Sequence, residues 1–497
     1  MTHSTTSAST VSHHDAQRPQ GIGEDWLAVW LGLAVVALAL LSLAGVDLLG
    51  WAVTTRVWTG AGIAGALAPI GKGYAAIGGI GSLVLTWLIL LAVLSLGAAA
   101  LKADAKRFAL RFTVVFWIAY AAWIIGSEAH LAVTTAADAR KFGIGWWLQL
   151  TSEFGLVVAL VAGLVIGNLF PRLAAWLGDA IRPELYIKTA LVILGAFIAV
   201  TAAERLGFAA GIVLRGAAAI IEAYLIYWAV VYFVARKWFG FSREWAAPLA
   251  SGISICGVAA SIATGSAIRA RTLVPVVVSS LVVVFAAVEL LVLPFLAQHF
   301  LWQEPLVAAS WLGLAIKTDG AAVASGGIAE SLILARAAAE GVKYAPGWLL
   351  GTTVTIKLFI DIFIGLWAFL LAWVWTRHIN PQAGDKARAV EIWQRFPKFI
   401  IGYLLTFVVV LLATLAAGPD TVARIKAVSA EANNLRVIFF LLTFFSIGVL
   451  SNFRKLWEEG LGKLVAVYVL ALFGFVIWVG LLISWIFFAG VKPPLAG

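Results

Sequence analysis

Long apolar runs separated by short polar stretches dominate the chain. Runs near the roughly 20 residues that carry a helix across a bilayer fall at Trp26 to Leu49, and then near 77–101, 108–133, 145–170, 184–203, 208–235, 245–269, 272–297, 305–335, 346–376, 396–416, 434–452 and 461–489. They are continuous and do not alternate residue by residue. The pattern therefore predicts an all-α polytopic membrane protein of about thirteen transmembrane helices and excludes a closed β-barrel. Residues 1–24 are polar and rich in Ser, Thr and His, and are expected to form a disordered cytoplasmic tail. They lack the basic start and short apolar stretch of a cleaved signal. Three organisational parts follow: the tail, an N-terminal three-helix extension over 25–135, and a core over 145–490.

Composition strengthens this reading. Of 497 residues, 62% are hydrophobic and 12% charged, against about 45–50% and about 25% in soluble domains. Lys and Arg number 35 against 25 Asp and Glu, a net charge of +10, which fits a basic excess in cytoplasmic loops. The basic stretches 102–107, 236–243, 377–398 and 454–463 then lie inside, with the N-terminus. No basic patch with interleaved aromatics lies outside the apolar runs, so nucleic acid is not an expected partner. A single cysteine, Cys256, excludes an internal disulfide and a multi-cysteine metal site. No two histidines face each other at membrane depth, which argues against a haem-carrying electron-transfer subunit. No Walker, HExxH or GxSxG sequence occurs. Neither ATP drive, enzymatic activity, a cofactor nor a metal is expected.

Two spans differ in kind. Ser251–Arg271 (SGISICGVAASIATGSAIRAR) and Trp311–Ser331 (WLGLAIKTDGAAVASGGIAES) are crowded with Gly, Ser and Thr. Each interior glycine weakens a helix by about 1 kcal/mol relative to alanine. Freed backbone groups at membrane depth are tolerated only beside protein or a watery cavity. Interrupted helices of this kind recur in secondary transporters, where helix N-termini hold anions; close packing through small residues is the structural alternative. Charges at membrane depth mark the same region. Lys317 and Asp319 flank the second interruption, and Lys357 and Asp361, four apart, share a helix face and can pair. Glu330 is placed near the face of Asp319. Glu222 and Glu289 are deep and lack a local partner, while Lys188, Glu204 and Arg205 lie near helix ends, where snorkelling is the default for the basic ones.

At SICGVAASIATGSAIRA the sequence resembles the family of bacterial membrane proteins named for sulfate export, whose Cys-Gly motif matches Cys256 and Gly257. ELYIKTALVILGAF (184–197), AIKTDGAAVASGGI followed by TTVTIKLFIDIFIG, and FFSIGVLSNFRKL (444–456) agree with the family's order. The resemblance covers roughly residues 145–490, and the first three helices look like an extension found in a longer branch. Val258 stands where a small or hydroxyl residue is usual, and TDGAAVASGG departs from the family's second motif. The resemblance implies a core of about ten helices in two five-helix inverted repeats, working by alternating access, with distant similarity to bile-acid/sodium symporters and cation/proton antiporters. The leading expectation is a secondary transporter of small anions, namely sulfate, sulfite or an organosulfonate, in a bacterial inner membrane, with a homodimer expected. Ser254, Cys256, Gly257, Ser261, Thr264, Gly265, Ser266, Lys317, Thr318, Ser325, Gly326 and Lys357 are the candidate substrate residues. Asp319, Asp361 and Glu222 are the candidates for coupling protons or sodium. A cation/proton antiporter of the same fold and a gated anion channel are the alternatives.

Overall fold

The computed structural model describes residues 23–134, 136–148, 150–271, 273–379, 390–452 and 462–496. Most of the expected tail, and parts of the 377–398 and 454–463 loops, lie outside these. The helices that build the molecule are α1 (Glu24–Leu41), α2 (Gly78–Ala100), α3 (Ala105–Gly126), α4 (Phe154–Leu169), α5 (Pro171–Leu177), α6 (Pro183–Glu204), α7 (Leu206–Lys237), α8 (Arg243–Ser254), α9 (Ala259–Ala267), α10 (Leu273–Phe300), α11 (Pro305–Ala315), α12 (Asp319–Ala339), α13 (Trp348–Ile379), α14 (Phe399–Ala416), α15 (Pro419–Leu450) and α16 (Gly462–Phe488). Proline opens α5, α6, α11 and α15, where its missing N–H would have no helical partner anyway. A small antiparallel pair, β1 (Val53–Thr55) and β2 (Leu67–Pro69), lies between α1 and α2 with Val53 opposite Pro69. The apolar pattern of the chain does not signal it.

Among the described residues, eleven helices are long and apolar enough to cross a membrane, or twelve when α4 and the segment Pro171–Ala180, bent by 115°, count as one span. The expected thirteen is too many because the first Gly-rich segment is no crossing and α4 counts only with its bent continuation, while the second supplies α12, which is among the eleven but folds back on α11. In the first, Thr264 Oγ1 donates to Ser251 Oγ at 2.7 Å, and the Arg271 backbone N–H donates to Glu244 at 2.7 Å. The two arms α8 and α9 therefore run antiparallel, and both ends of the segment lie on one face. In the second, Gly313 of α11 and Gly326 of α12 both pack on Thr353 of α13. The Arg336 guanidinium lies 5.3 Å over the Trp302 ring, so α11 and α12 also fold back on each other. α10 runs from the base of the first hairpin to that of the second, where Arg336 donates to the Gln298 carbonyl at 3.5 Å. The hairpins thus enter from opposite faces.

Pairs of residues remote in sequence define these faces. Face A holds Arg111–Asp179, Arg182–Glu24 and Glu244–Arg271. Face B holds Glu204–Lys426, the Tyr344–Leu495 bridge and Glu304 accepting from Gly490 N–H. The core rests on α6, which is buried along nearly its whole length against α1, α14 and α15. α4 meets α15 at backbone distance, because a Cβ on either Gly163 or Gly448 would lie 2.9 Å from the other's Cα. The N-terminal extension is not a separate layer: α1 packs along α6, with Gly32 against Val192.

Candidate functional site

The two hairpin tips meet in the interior. Residues 255–258 leave the helical path after α8, and 316–318 do so after α11. The Gly257 N–H donates to the Lys317 carbonyl at 2.6 Å, joining one tip to the other. A Cβ on Gly257 would sit 2.7 Å from Val282 Cβ of α10, so only glycine lets the first tip approach so closely. Breaking the helices frees carbonyls at two C-termini, and each finds a lysine. Lys357 Nζ, from the middle of α13, donates to the Ile255 carbonyl at 2.8 Å, and Lys317 Nζ donates to the Leu314 carbonyl. Cations at helix C-termini oppose the helix dipole. At the other end of each break, α9 and α12 begin, and Thr318 caps α12 by accepting from Ala321 N–H at 3.3 Å.

A charged cluster lies around the tips. Lys357 Nζ is 3.6 Å from Asp319 Oδ1, and both side chains are 3% exposed. Donor atoms of Cys256, Asp319 and Asp361 lie within 4.8 Å of one another, a set able to share a cation or a proton. Both Asp361 oxygens are buried without a hydrogen-bond partner. Lys357 is therefore tied to Asp319, a residue from another helix, and not directly to Asp361 four residues along its own. A second group surrounds Lys317, whose Nζ lies 4.5 Å over the Tyr227 ring. Glu222, in the π-helical turn Glu222–Tyr227, and Glu289 of α10 both act on Lys317 electrostatically. Neither carboxylate finds a hydrogen-bond partner at normal geometry.

The remaining candidates separate by place. Ser254, at the tip, is fully buried with a free hydroxyl, as is Ser325 on α12. Ser261 donates to the Gly257 carbonyl at 2.5 Å and faces Ser279 at 2.8 Å. Thr264 is bonded to Ser251, which also accepts from Trp228 Nε1 at 2.9 Å, so these two hydroxyls hold the hairpin and its neighbours together. Gly265 packs on Pro275 and Gly326 on Thr353. Ser266 is exposed near the outer end of α9, remote from the tips. Glu330 does not join the Asp319 face. Its carboxylate accepts the N–H groups of Gly347, Leu349 and Leu350 at 2.9, 2.9 and 3.0 Å and so caps the start of α13.

Two neighbouring cavities approach the tips from face A. A cavity of about 390 Å³ is lined by Arg182, Glu184, Ser280 and Val258 of the first tip. A smaller cavity of about 20 Å³ shares Pro183, Glu184 and Val283 with it and is lined by Thr318 and Gly320 of the second tip. On face B, a cavity of about 560 Å³ is lined by Glu204, Arg205, Trp348 and Lys426 and by no residue of either tip. Next to Glu184, which lines both cavities, lies a charge that sequence reasoning misplaced. Lys188 does not snorkel; it pairs with Asp25 at 2.7 Å and with Glu184 at 3.1 Å, its side chain 10% exposed. Glu184 and Lys188 form a visible i, i+4 pair, but Asp25 is 163 residues away, and no local pattern connects it.

The family model described as conserved hypothetical protein 698 matches residues 143–467. A UPF0324 membrane protein of Nitrosomonas europaea is 42% identical over 480 residues, 95% of this chain and 97% of that protein. An uncharacterized protein of Archaeoglobus fulgidus is 51% identical over 170 residues, 30% of this chain and 91% of its own length. A UPF0324 membrane protein of Pseudomonas aeruginosa is 23% identical over 348 residues, covering 67% and 87% of the two chains. No solved structure matches. An intramembrane cluster at two hairpin tips, carried on a helical core over the matched segment, is what this chain presents as a member of the UPF0324 membrane protein family.

Proposed function

We propose that the chain is a secondary active carrier of a small anion (sulfate, sulfite or an organosulfonate) working by alternating access, without catalytic chemistry. The observation that carries this reading is the meeting of two opposed hairpin tips around buried Lys357, with cavities on face A lined by residues of both tips. Two opposed hairpins are what an inverted repeat produces, and the resemblance to the sulfate-export family points the same way. Face A carries Lys102, Lys106, Arg107, Arg236, Lys237 and Arg243 in its loops and adjoining helix ends, which supports a cytoplasmic side for it in a bacterial inner membrane.

The anion binds between the N-termini of α9 and α12, where N–H groups and the Ser254 hydroxyl replace part of its hydration shell, and Lys357 supplies the positive charge. To take Lys357 the anion displaces Asp319. An unpaired carboxylate at 3% exposure costs several kcal/mol, so the site takes a coupling cation, a proton in this reading, together with the anion. Anion and proton then cross in the same direction, with Asp361 and Glu222 as further proton holders. The test is labelled sulfate counterflow into proteoliposomes, with sulfite, taurine and bicarbonate as competitors. Saturable exchange, quickened by an inward proton gradient and at least roughly tenfold slower in Lys357→Ala (a ~1.4 kcal/mol effect or more), is expected. No exchange of any of these anions by well-folded protein overturns the reading.

One observation favours a second reading. The Cys256, Asp319 and Asp361 donors within 4.8 Å suit a cation, and a cation/proton antiporter of this fold would bind it there in competition with Lys357. Sodium-dependent proton flux without any anion is its signature.

A further inference from the structure

The mouth of the larger face A cavity is built partly from outside the segment that the family model matches. That match begins at residue 143, yet α1 contributes Glu24 to the lining of the entrance cavity and Asp25 to a pair with Lys188, one turn of α6 beyond the lining residue Glu184. Asp25 Oδ1 is 2.7 Å from Lys188 Nζ, and Glu24 Oε1 is 3.7 Å from Arg182 Nη1. Arg182, Glu184 and Glu24 line the same cavity of about 390 Å³ as Val258 of the first tip. The carboxylates are open to water, at 37% for Glu24 and 35% for Asp25, while Lys188 and Arg182 are 10% and 23% exposed.

We propose that Arg182 and Lys188 form an outer anion-recognition subsite on the transport path, and that Glu24 and Asp25 of the N-terminal helix are tethered carboxylates that compete for it. The proposal rests on the carrier reading for the identity of the anion, but not for the electrostatics of the entrance. Two geometric facts lead to it. The cations are the more buried partners and are fixed on the core: Arg182 immediately precedes α6, donating from Nε to the Asp179 carbonyl at 3.0 Å, and Lys188 lies on α6 itself. The carboxylates are the more exposed partners and stand on the first turn of another helix. With Glu184 included, two cations face three carboxylates at the entrance. An arriving oxyanion of carboxylate-like size and charge competes with Glu24 for Arg182, and with Asp25 and Glu184 for Lys188. Neutralising both Glu24 and Asp25 makes the charge around Arg182 and Lys188 more positive by two.

A charge-selective labelling experiment tests this without requiring transport. Ser280 lines the cavity and is exposed, whereas the native Cys256 is 3% exposed, so a Ser280→Cys variant of the full chain reports the potential at the entrance. Its modification rates are measured with an anionic sulfonatoethyl and a cationic trimethylammonioethyl methanethiosulfonate. Adding Glu24→Gln and Asp25→Asn is expected to raise the anionic-to-cationic rate ratio roughly tenfold, Asp25→Glu to leave it near the starting value, and Lys188→Gln to lower it. A ratio that neither the neutralising variants nor Lys188→Gln moves overturns the proposal, as does a Ser280→Cys thiol that neither reagent reaches. In proteoliposomes, Asp25→Asn is expected to lower the sulfate or sulfite concentration for half-maximal exchange severalfold. A shifted labelling ratio with no anion exchange from any variant would remove the carrier reading and keep the charged entrance. Exchange with an unmoved ratio would do the reverse.

Discussion

Lys357 shows how little a single residue type says until its partners are known. In the sequence it is an intramembrane lysine four residues before an aspartate; in the fold it reaches across to Asp319 and to the Ile255 carbonyl of the first hairpin. Removing one member of a buried pair leaves an uncompensated charge, which costs about 3–5 kcal/mol. Lys357→Ala is therefore expected to lower the melting temperature of detergent-purified protein markedly, and Asp319→Asn in the same background to restore most of the loss. If the single and double variants melt alike, the pair is not what holds the site. Gly257 makes a steric counterpart. Gly257→Ala pushes a methyl into Val282 and is expected to cost about 1–3 kcal/mol, with Val282→Ala compensating because the two sites touch. A melting temperature unchanged by Gly257→Ala would show that the tips do not pack as described.

Among the elements, the helix termini show where local sequence reading reached its limit. The Gly, Ser and Thr content of 251–271 and 311–331 correctly marked two interruptions, but an interrupted helix and a folded-back hairpin have the same local composition. Contacts between distant arms distinguish them: Glu244 with Arg271, and α11 and α12 sharing Thr353. The Arg271 backbone N–H and guanidinium hold the Glu244 carboxyl below its usual value of 4.5. A depressed folded-state pKa gives stability that is complete above the unfolded value and is lost as pH falls through the folded one. The base of the first hairpin should therefore loosen only in acid, by at most ~1 kcal/mol for so exposed a pair. Amide exchange at Arg271, corrected for intrinsic rate, should become faster than in neutral solution below about pH 4.5 in the native chain and show no such step in Glu244→Gln. Glu330 lay beyond sequence reasoning for a similar reason. Its partners are the backbone N–H groups at the start of the next helix, and backbone donors carry no residue signature. Glu330→Gln should speed amide exchange at residues 347–350, and unchanged protection there would remove its capping role.

For the whole molecule, the decisive difference is the path of the chain through the membrane. With two hairpins in place of two crossings, Ser242 and Ala270 lie on one face, while Gln303 and Glu340 lie on the other. Cysteines introduced singly at these four positions should react with an impermeant thiol reagent in two pairs, Ser242→Cys with Ala270→Cys and Gln303→Cys with Glu340→Cys, from opposite sides. Labelling of Ser242→Cys and Ala270→Cys from different sides would instead restore a simple crossing between them. Among the described residues, only the turn at 270–271 and the 298–304 loop change side relative to thirteen straight crossings. The basic stretches 102–107 and 236–243, expected inside, therefore stay together on face A.

By itself the sequence determined the membrane class, the positions of nearly all the long helices and the two segments where helix gives way, because each follows from local hydropathy, length and glycine content. Tertiary structure alone decided the rest. The folding back of the hairpins, the pairing of Lys357 with Asp319, and the placing of Asp25 of the N-terminal helix against Lys188 all join groups far apart in the chain. In the low-dielectric interior a charge settles wherever an opposite charge or a free carbonyl lies within reach, and that neighbour is chosen by packing and not by spacing along the chain.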